Sequence, residues 1–257
     1  MRIRGRALIA AATMALSMVG CGGGGDDVAA GPGPVGLWNG TTNETTNGTT
    51  TSRPATALTL GDGTYWLLYS GLPGGSVLPG GFVQGHLSSS SSMAFSSSDM
   101  RDFNFEDTGV TFGSLTGVYV PRTSIQVGAA YSDGTQRGFS GTYDALNERR
   151  ASLTELAGTY TGQVLLSSGD QSGSVTIGTD GAVVGNAGGC AVTGRATART
   201  DAYAYSLALR FGPAPCYFAG QSFTGIAVFD PGTNQLIAAS PNAARSDGIL
   251  FVGTKPN

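Results

Sequence analysis

The sequence predicts an all-β protein made of two tandem, small, antiparallel up-and-down β-barrels, with two sandwiches as the alternative. Three observations lead to this prediction. Four short sequence motifs each occur twice, in the same order along the chain. Short segments of alternating apolar and polar residues are separated by turn dipeptides. Only one short stretch after the N-terminal region has a helical pattern. A signal peptide and a flexible linker are expected before the two repeats.

Residues 1–20 have the pattern of a secretory signal peptide. Three arginines within residues 1–6 precede an apolar stretch at 7–20 that is too short to span a bilayer. The stretch ends at Cys21, preceded by a small residue, and this ending resembles the lipobox of bacterial lipoproteins, although Met18 stands where leucine is usual. The resemblance implies lipid attachment at Cys21; a secreted protein with an unmodified cysteine is the alternative.

Residues 21–34 are predicted to be a lipidated flexible tether. Four consecutive glycines follow Cys21, and alternating glycine and proline fill residues 31–34 without apolar periodicity. A linker of this composition reaches on the order of 20 Å. Glycine rather than aspartate follows Cys21, which by the sorting habit of bacterial lipoproteins implies the outer membrane, at its periplasmic face or at the cell surface.

Two repeats follow, at residues 35–145 and 157–257. The glycine–aromatic–glycine pattern of residues 36–40 recurs at 158–162, and the Ser-x-Thr-Gly pattern of residues 114–117 recurs at 222–225. Aspartate–glycine pairs, which favour type I′ hairpins, recur in both repeats. They begin at Asp62, Asp133, Asp180 and Asp247.

The second repeat predicts eight short strands joined by hairpins, and closure into a barrel leaves no open edge. These predicted strands are 158–166, 173–178, 182–185, 190–196, 203–211, 223–229, 235–239 and 250–254. A linker at 146–156 separates the repeats. Ser152 and Glu155 within it have the spacing of a capping box, which predicts one short helical turn.

Cys190 and Cys216 remain once Cys21 carries lipid. In an exported chain two such cysteines predict one disulfide, which contributes about 3.5 kcal/mol by the chain-entropy estimate. A redox-active pair is the alternative, but the pair lacks the C-x-x-C spacing and a nearby histidine.

The composition disfavours several functions. A net charge of −3 argues against nucleic-acid binding, and a single histidine excludes a His-rich metal site. His86 could be the base of a Ser-His-Asp triad, but the sequence contains no G-x-S-x-G motif, which marks the nucleophilic serine in many hydrolases. Acidic residues crowd one segment at Asp99, Asp102, Glu106 and Asp107. They could pair for acid–base chemistry or bind Ca²⁺, but the D-x-D-x-D-G pattern is absent, and a solvated acidic hairpin end is the preferred interpretation. The sequence therefore predicts neither enzymatic activity nor a metal or cofactor.

Aromatic residues in the first repeat mark a possible ligand pocket. Trp38 opens the first strand, and Tyr65 and Trp66 follow in a later strand. These residues could line a pocket or pack in the core. Tyr160 stands at the position equivalent to Trp38, which favours packing.

The second repeat resembles a group of uncharacterised proteobacterial lipoproteins with small antiparallel, calycin-like β-barrel repeats. The resemblance implies a lipid-anchored envelope protein with no assigned activity, and only Cys21 carries over as a functional residue. The residues that carry it are the segments 158–162, 189–194, 223–227 and 248–253, together with Cys216.

The sequence thus predicts a lipid-anchored cell-envelope protein with a non-enzymatic binding or structural role. Its expected partners are the membrane and either an unknown envelope protein or a small ligand. Two alternatives remain open. The chain could carry a small apolar ligand inside a barrel, or inhibit an envelope hydrolase through a loop at 72–81.

Overall fold

The computed structural model describes residues 33–46, 49–71, 79–89, 93–106 and 109–256. The predicted signal peptide, Cys21, and the predicted tether up to residue 32 lie outside the described residues. So does the greater part of the loop at 72–81.

Among the described residues the first barrel has nine strands, eight of which form a closed antiparallel ring. Strand β9 pairs with β1 and β4 pairs with β6, so the ring has no free edge, while the two-residue β5 pairs with β6 alone. The strands are β1 (Gly36–Thr46), β2 (Thr49–Thr59), β3 (Thr64–Ser70), β4 (Pro79–His86), β5 (Ser88–Ser89), β6 (Ala94–Asn104), β7 (Val110–Val120), β8 (Ser124–Tyr131) and β9 (Gln136–Tyr143).

The second barrel is a closed antiparallel ring of eight strands, in which β17 pairs with β10. The strands are β10 (Gly158–Leu166), β11 (Gly169–Ile177), β12 (Ala182–Ala187), β13 (Cys190–Ala198), β14 (Tyr205–Phe211), β15 (Ser222–Asp230), β16 (Gln235–Pro241) and β17 (Gly248–Thr254). The predicted tandem antiparallel barrels are therefore confirmed, and the continuous pairing of each ring replaces the sandwich alternative.

The repeated glycine–aromatic–glycine pattern has the same structural reason in both barrels. Trp38 and Tyr160 are fully buried, and each side chain donates a hydrogen bond to the backbone carbonyl four residues earlier, at Pro34 and Leu156. The glycine two residues after each aromatic residue faces the neighbouring strand so closely that any Cβ would collide with its backbone. The pattern thus closes one end of each barrel.

The hairpin turns lie where the aspartate–glycine pairs predict them in three of four cases, but their type differs. At Asp62, Asp133 and Asp180 only the following glycine has a positive φ, whereas a type I′ turn needs positive φ at both central residues. Each of these aspartates instead accepts a hydrogen bond from the backbone N–H two residues on. At Asp247 the glycine begins β17, and Arg245 takes the left-handed conformation.

The segment at 146–156 packs against both barrels rather than forming a simple connection: at its start Glu148 accepts a hydrogen bond from the Tyr143 hydroxyl of the first barrel. A 3-10 helix (Ala145–Glu148) and helix α1 (Leu153–Leu156) lie here, and Leu156 is completely buried in the barrel core. The predicted helical turn exists, but the capping-box hydrogen bonds do not. The backbone N–H of Ser152 donates to the Tyr205 hydroxyl, and Glu155 binds Arg149 and Tyr203 instead.

The two barrels share one apolar core between their outer faces. Side chains that point outward from the first barrel, such as Trp66, Phe82 and Phe103, form one cluster with outward side chains of the second barrel, such as Ile226 and Leu250. Phe82 and Phe103 stack with ring centroids 4.4 Å apart. Burial of these apolar side chains stabilises the contact between the two barrels.

Polar contacts flank this core. The Arg245 guanidinium of the second barrel donates to the Asp99 carboxylate at 2.9 Å and to the backbone carbonyls of Gln84 and Asp99 at 2.7 and 2.8 Å. The backbone N–H of Gly61 donates to Asp201 at 2.7 Å. Partial burial raises the pKa of Asp99, but hydrogen bonds from His86, Ser97 and Arg245 outweigh it and lower this pKa to about 2.

We expect the Asp99–Arg245 contact to stabilise the folded chain above about pH 4 and to weaken as the pH falls toward 2. The pKa of Asp99 is depressed on folding, so protonation of the carboxylate removes stability. The contribution of the contact is measured as the difference in unfolding free energy between wild type and Arg245→Met, from denaturant unfolding at each pH. Because solvent screens this partly exposed pair, the difference in unfolding free energy should shrink by no more than about 1 kcal/mol between neutral pH and pH 2. Arg122→Met, at an exposed ion pair with Glu148, is the control, and a difference for Arg245→Met that is independent of pH would contradict the expectation.

Candidate functional site

The interiors of the two barrels differ in how completely side chains fill them. The second barrel encloses a cavity of about 280 Å³, whereas the first encloses one of about 80 Å³. Small-molecule sites in proteins have volumes of about 300 Å³ or more, and the cavity of the second barrel lies close to this limit while that of the first is far below it. The interior of the second barrel is therefore the candidate functional site.

The wall of this cavity is mainly apolar and, among the described residues, has no charged side chain. Aliphatic side chains from successive strands face it, among them Val164, Val175, Val192, Leu209 and Ala238. Successive side chains of a β-strand point to opposite faces, so every second one faces the interior of the barrel. No lining residue among those that the structure describes carries a carboxylate, an ammonium, a guanidinium or an imidazole.

The loop between β14 and β15 lies at one end of the cavity. Pro215, Tyr217 and Phe218 of this loop contribute to the cavity lining. A disulfide joins Cys216 in the loop to Cys190 at the start of β13. Phe218 packs on Phe211 and Phe223 with centroid distances of 5.6 and 4.7 Å, while Tyr217 remains half-exposed. The disulfide thus holds an aromatic group at the rim of the barrel.

The opposite end of the second barrel is closed. Tyr160 fills it and donates to the Leu156 carbonyl at 2.5 Å. The Lys255 ammonium donates to the carbonyls of Glu155 and Ala157 and lies 4.4 Å from the centroid of the Phe229 ring. Partial burial lowers the pKa of Lys255. Access to the cavity is therefore from the end that carries the disulfide loop.

One polar side chain of the cavity lining is unusual. Ser240 is 1% exposed, and its hydroxyl has no hydrogen-bond partner among the described residues. On β16 every second residue faces inward, and Ser240 is the next inward-facing residue after Leu236 and Ala238. A Cβ on the facing Gly225 would collide with the Ser240 hydroxyl oxygen, so this oxygen projects into the interior of the barrel.

The interior of the first barrel is filled by large side chains and by one buried carboxylate. Asp102 is completely buried and accepts hydrogen bonds from the Tyr69 hydroxyl at 2.8 Å, the Tyr131 hydroxyl at 2.8 Å and the Arg137 guanidinium at 2.9 Å. Arg137 also donates to Glu44 at 2.8 Å. The interpretation of this acidic segment as a solvated hairpin end is therefore wrong for Asp102.

The pKa values in this network follow from burial. Burial raises the pKa of Asp102, although the tyrosine hydroxyls and the guanidinium act in the opposite direction. Burial and the neighbouring carboxylate both raise the pKa of Tyr69 and Tyr131. Asp102 faces a cation and two neutral donors rather than a second carboxylate. The arrangement therefore holds the barrel together and does not form an acid–base pair.

The three residues of the predicted pocket do not line one site together. Trp38 closes the end of the first barrel, where its indole N–H also lies 3.3 Å from the Thr59 hydroxyl. Tyr65 faces the small cavity of the first barrel and hydrogen-bonds to Ser97. Trp66 borders the same cavity, but its side chain packs in the core between the two barrels. The larger cavity, in the second barrel, contains none of them.

His86 does not form a catalytic group with its neighbours. Its Nδ1 lies 3.3 Å from Asp99, and the Ser97 hydroxyl donates to Asp99 rather than to the imidazole. A triad requires the serine to bond to the histidine. Asp99 is in turn bound by Arg245, and Glu106 is paired with Arg53. The side chains that could act as acids or bases here are thus engaged in structural contacts.

Two further features concern the described part of the chain. No group of three or more histidine, cysteine, aspartate or glutamate residues there is arranged to hold a metal ion. None of the helices there has the length and apolar character to cross a membrane.

Solved structures to which the chain is similar include Transferrin Binding Protein B (TbpB). A mutant of this vaccine antigen from Haemophilus parasuis Hp5 is 9% identical, with a TM-score of 0.31, and the match covers 87% of this chain and 76% of that one. Isotype 1 TbpB from serogroup B Neisseria meningitidis is 8% identical, with a TM-score of 0.30 and coverage of 86% and 76%. Likeness at this level carries no argument about ligand or partner. No family model and no curated protein matches the sequence.

We expect Asp102→Ala to destabilise the chain by about 3 kcal/mol, because it leaves Arg137 and two tyrosine hydroxyls without their shared acceptor. Denaturant unfolding measures the loss. Asp170→Ala, at an exposed position of β11, is the matched control and should change the unfolding free energy by less than about 0.5 kcal/mol. Equal effects of the two substitutions would show that the buried network contributes nothing particular to stability.

Proposed function

We propose that this chain is a non-enzymatic binding protein of the bacterial cell envelope, anchored in the outer membrane through lipid on Cys21, and that its second barrel takes up a small, mainly apolar ligand. The observation that carries the binding proposal is the contrast between the two interiors. The second barrel holds a cavity of about 280 Å³, although a barrel of eight strands can be filled by its own side chains, as the first one is.

The chemistry of the cavity wall supports an apolar ligand. Val164, Val175 and Leu209 offer apolar surface to a bound molecule, and removal of such surface from water contributes about 25 cal/mol per Å². The walls belong to a closed ring of hydrogen-bonded strands and one end is fixed by the disulfide. Little conformational freedom is therefore lost on binding, which favours affinity.

The absence of enzymatic activity is part of the proposal. In the described residues the cavity is lined by hydroxyl, amide and hydrocarbon groups. General acid–base or nucleophilic catalysis requires a titratable group within hydrogen-bond reach of the substrate. Asp102, His86 and Asp99 are engaged elsewhere in structural contacts.

The anchor has its own test. We expect Cys21→Ser to abolish incorporation of labelled palmitate, because the thiol that would be acylated is lost. Cys190→Ser removes a cysteine that the structure places in the disulfide and should retain the label. Palmitate that remains on the Cys21→Ser chain would contradict the anchor.

Ligand uptake is tested with residues 22–257, which include every described residue of both barrels. We expect the neutral dye phenylnaphthylamine to bind with enhanced fluorescence, and Val192→Phe to weaken this binding more than about tenfold because it fills the cavity. Thr193→Phe is the matched control, since the next residue of the same strand is exposed on the outer face and should leave the affinity unchanged. Equal dye binding by both variants would contradict a site inside the barrel.

A further inference from the structure

We infer that the ligand of the second barrel is an uncharged, predominantly apolar molecule with a single hydrogen-bonding group, and that the Ser240 hydroxyl binds this group. This inference rests on the proposed function and specifies the chemical class of the ligand. It is carried by the position of Ser240 in the cavity lining and by the lack of any partner for its hydroxyl.

The position of Ser240 is fixed from two directions. Strand alternation places it on the inner face of β16 with Leu236 and Ala238. The facing Gly225 has no side chain, and this leaves space that the Ser240 hydroxyl oxygen occupies. The hydroxyl is therefore held in the interior by the packing of two neighbouring strands.

The missing partner points to a ligand. Buried hydroxyls in proteins are almost always hydrogen-bonded, because an unpaired one destabilises the folded state. Alanine has nearly the same volume and would avoid this cost. A serine at this position is therefore explained if the bound ligand supplies the partner.

The rest of the lining limits the class of ligand. Charged side chains are absent from it among the described residues, so nothing there would compensate the desolvation of a carboxylate or an amine. The other polar residues of the lining are Ser168, Gln171, Ser174, Asn186 and Tyr217. Ser168 and Tyr217 belong to loops, and Ser174 and Asn186 alternate with the inward-facing Val175 and Gly185, so Gln171 is the other polar side chain that a strand turns inward. It is only partly buried, and its amide lies beside Gly188 in the β12–β13 hairpin. One polar contact in an apolar interior fits a neutral molecule such as an alcohol, a ketone or an ester.

The test compares three small probes that differ in their polar group. Displacement of phenylnaphthylamine by n-hexanol, n-hexane and hexanoate is measured on residues 22–257 and on Ser240→Ala in the same chain. We expect Ser240→Ala to weaken n-hexanol about fivefold to tenfold, the effect of one lost hydrogen bond. Binding of n-hexane should change by less than about twofold, and hexanoate should displace the dye poorly from both proteins.

A second measurement separates recognition from simple packing. Ser240→Ala should raise the midpoint of thermal unfolding of the ligand-free protein, because it removes an unpaired buried hydroxyl. Ser222→Ala, at an exposed position of β15, should alter neither the probe affinities nor this midpoint.

Three results would overturn the inference. If Ser240→Ala weakens n-hexanol and n-hexane equally, Ser240 only shapes the cavity. If Ser240→Ala changes the affinity for neither probe, Ser240 makes no contact with the bound molecule. If hexanoate displaces the dye strongly, the ligand class is not restricted to neutral molecules. Each of these leaves uptake of the dye intact, so the proposed function would stand. If wild type does not bind the dye at all, the proposed function fails as well.

Discussion

Closure of eight strands into a ring fixes the width of the interior, and the rest of this structure depends on that constraint. A ring of this size has room either for its own inward side chains or for one small ligand. In the first barrel the inward positions carry large groups such as Tyr65, Phe95 and Phe139. In the second they carry smaller ones such as Val175, Val192 and Ala238. The smaller side chains at these positions leave more interior space in the second ring than in the first.

The repeats are equivalent where closure of one end requires it and differ elsewhere. Trp38 and Tyr160 occupy the same position, make the same type of hydrogen bond and are followed by a glycine at the same spacing. Away from this end the first interior contains the Asp102 network, whereas the second contains the cavity with its disulfide loop. The conserved geometry of the closed end leaves the rest of each interior free to diverge.

The sequence predicts the fold because strand alternation, turn residues and internal repeats are local signals. Asp102 could not be placed in this way, since a bulge in β6 between Ser97 and Met100 changes which residues face inward. Before the bulge Phe95 and Ser97 face inward, and after it Met100 and Asp102 do.

The core between the barrels did have a sequence signal that alternation alone does not use. Strands β4 and β17 are buried on both faces and read as nearly continuous runs of small or apolar residues. Such runs mark strands covered on their outer side.

The same core has a functional consequence under the proposed anchoring. Because Trp66 and Phe82 of the first barrel pack against Ile226 and Leu250 of the second, the open end of the second barrel keeps a fixed orientation relative to the barrel that follows the tether. The apolar contact thus makes the two barrels one unit and sets the direction in which the cavity of the second barrel opens relative to the first.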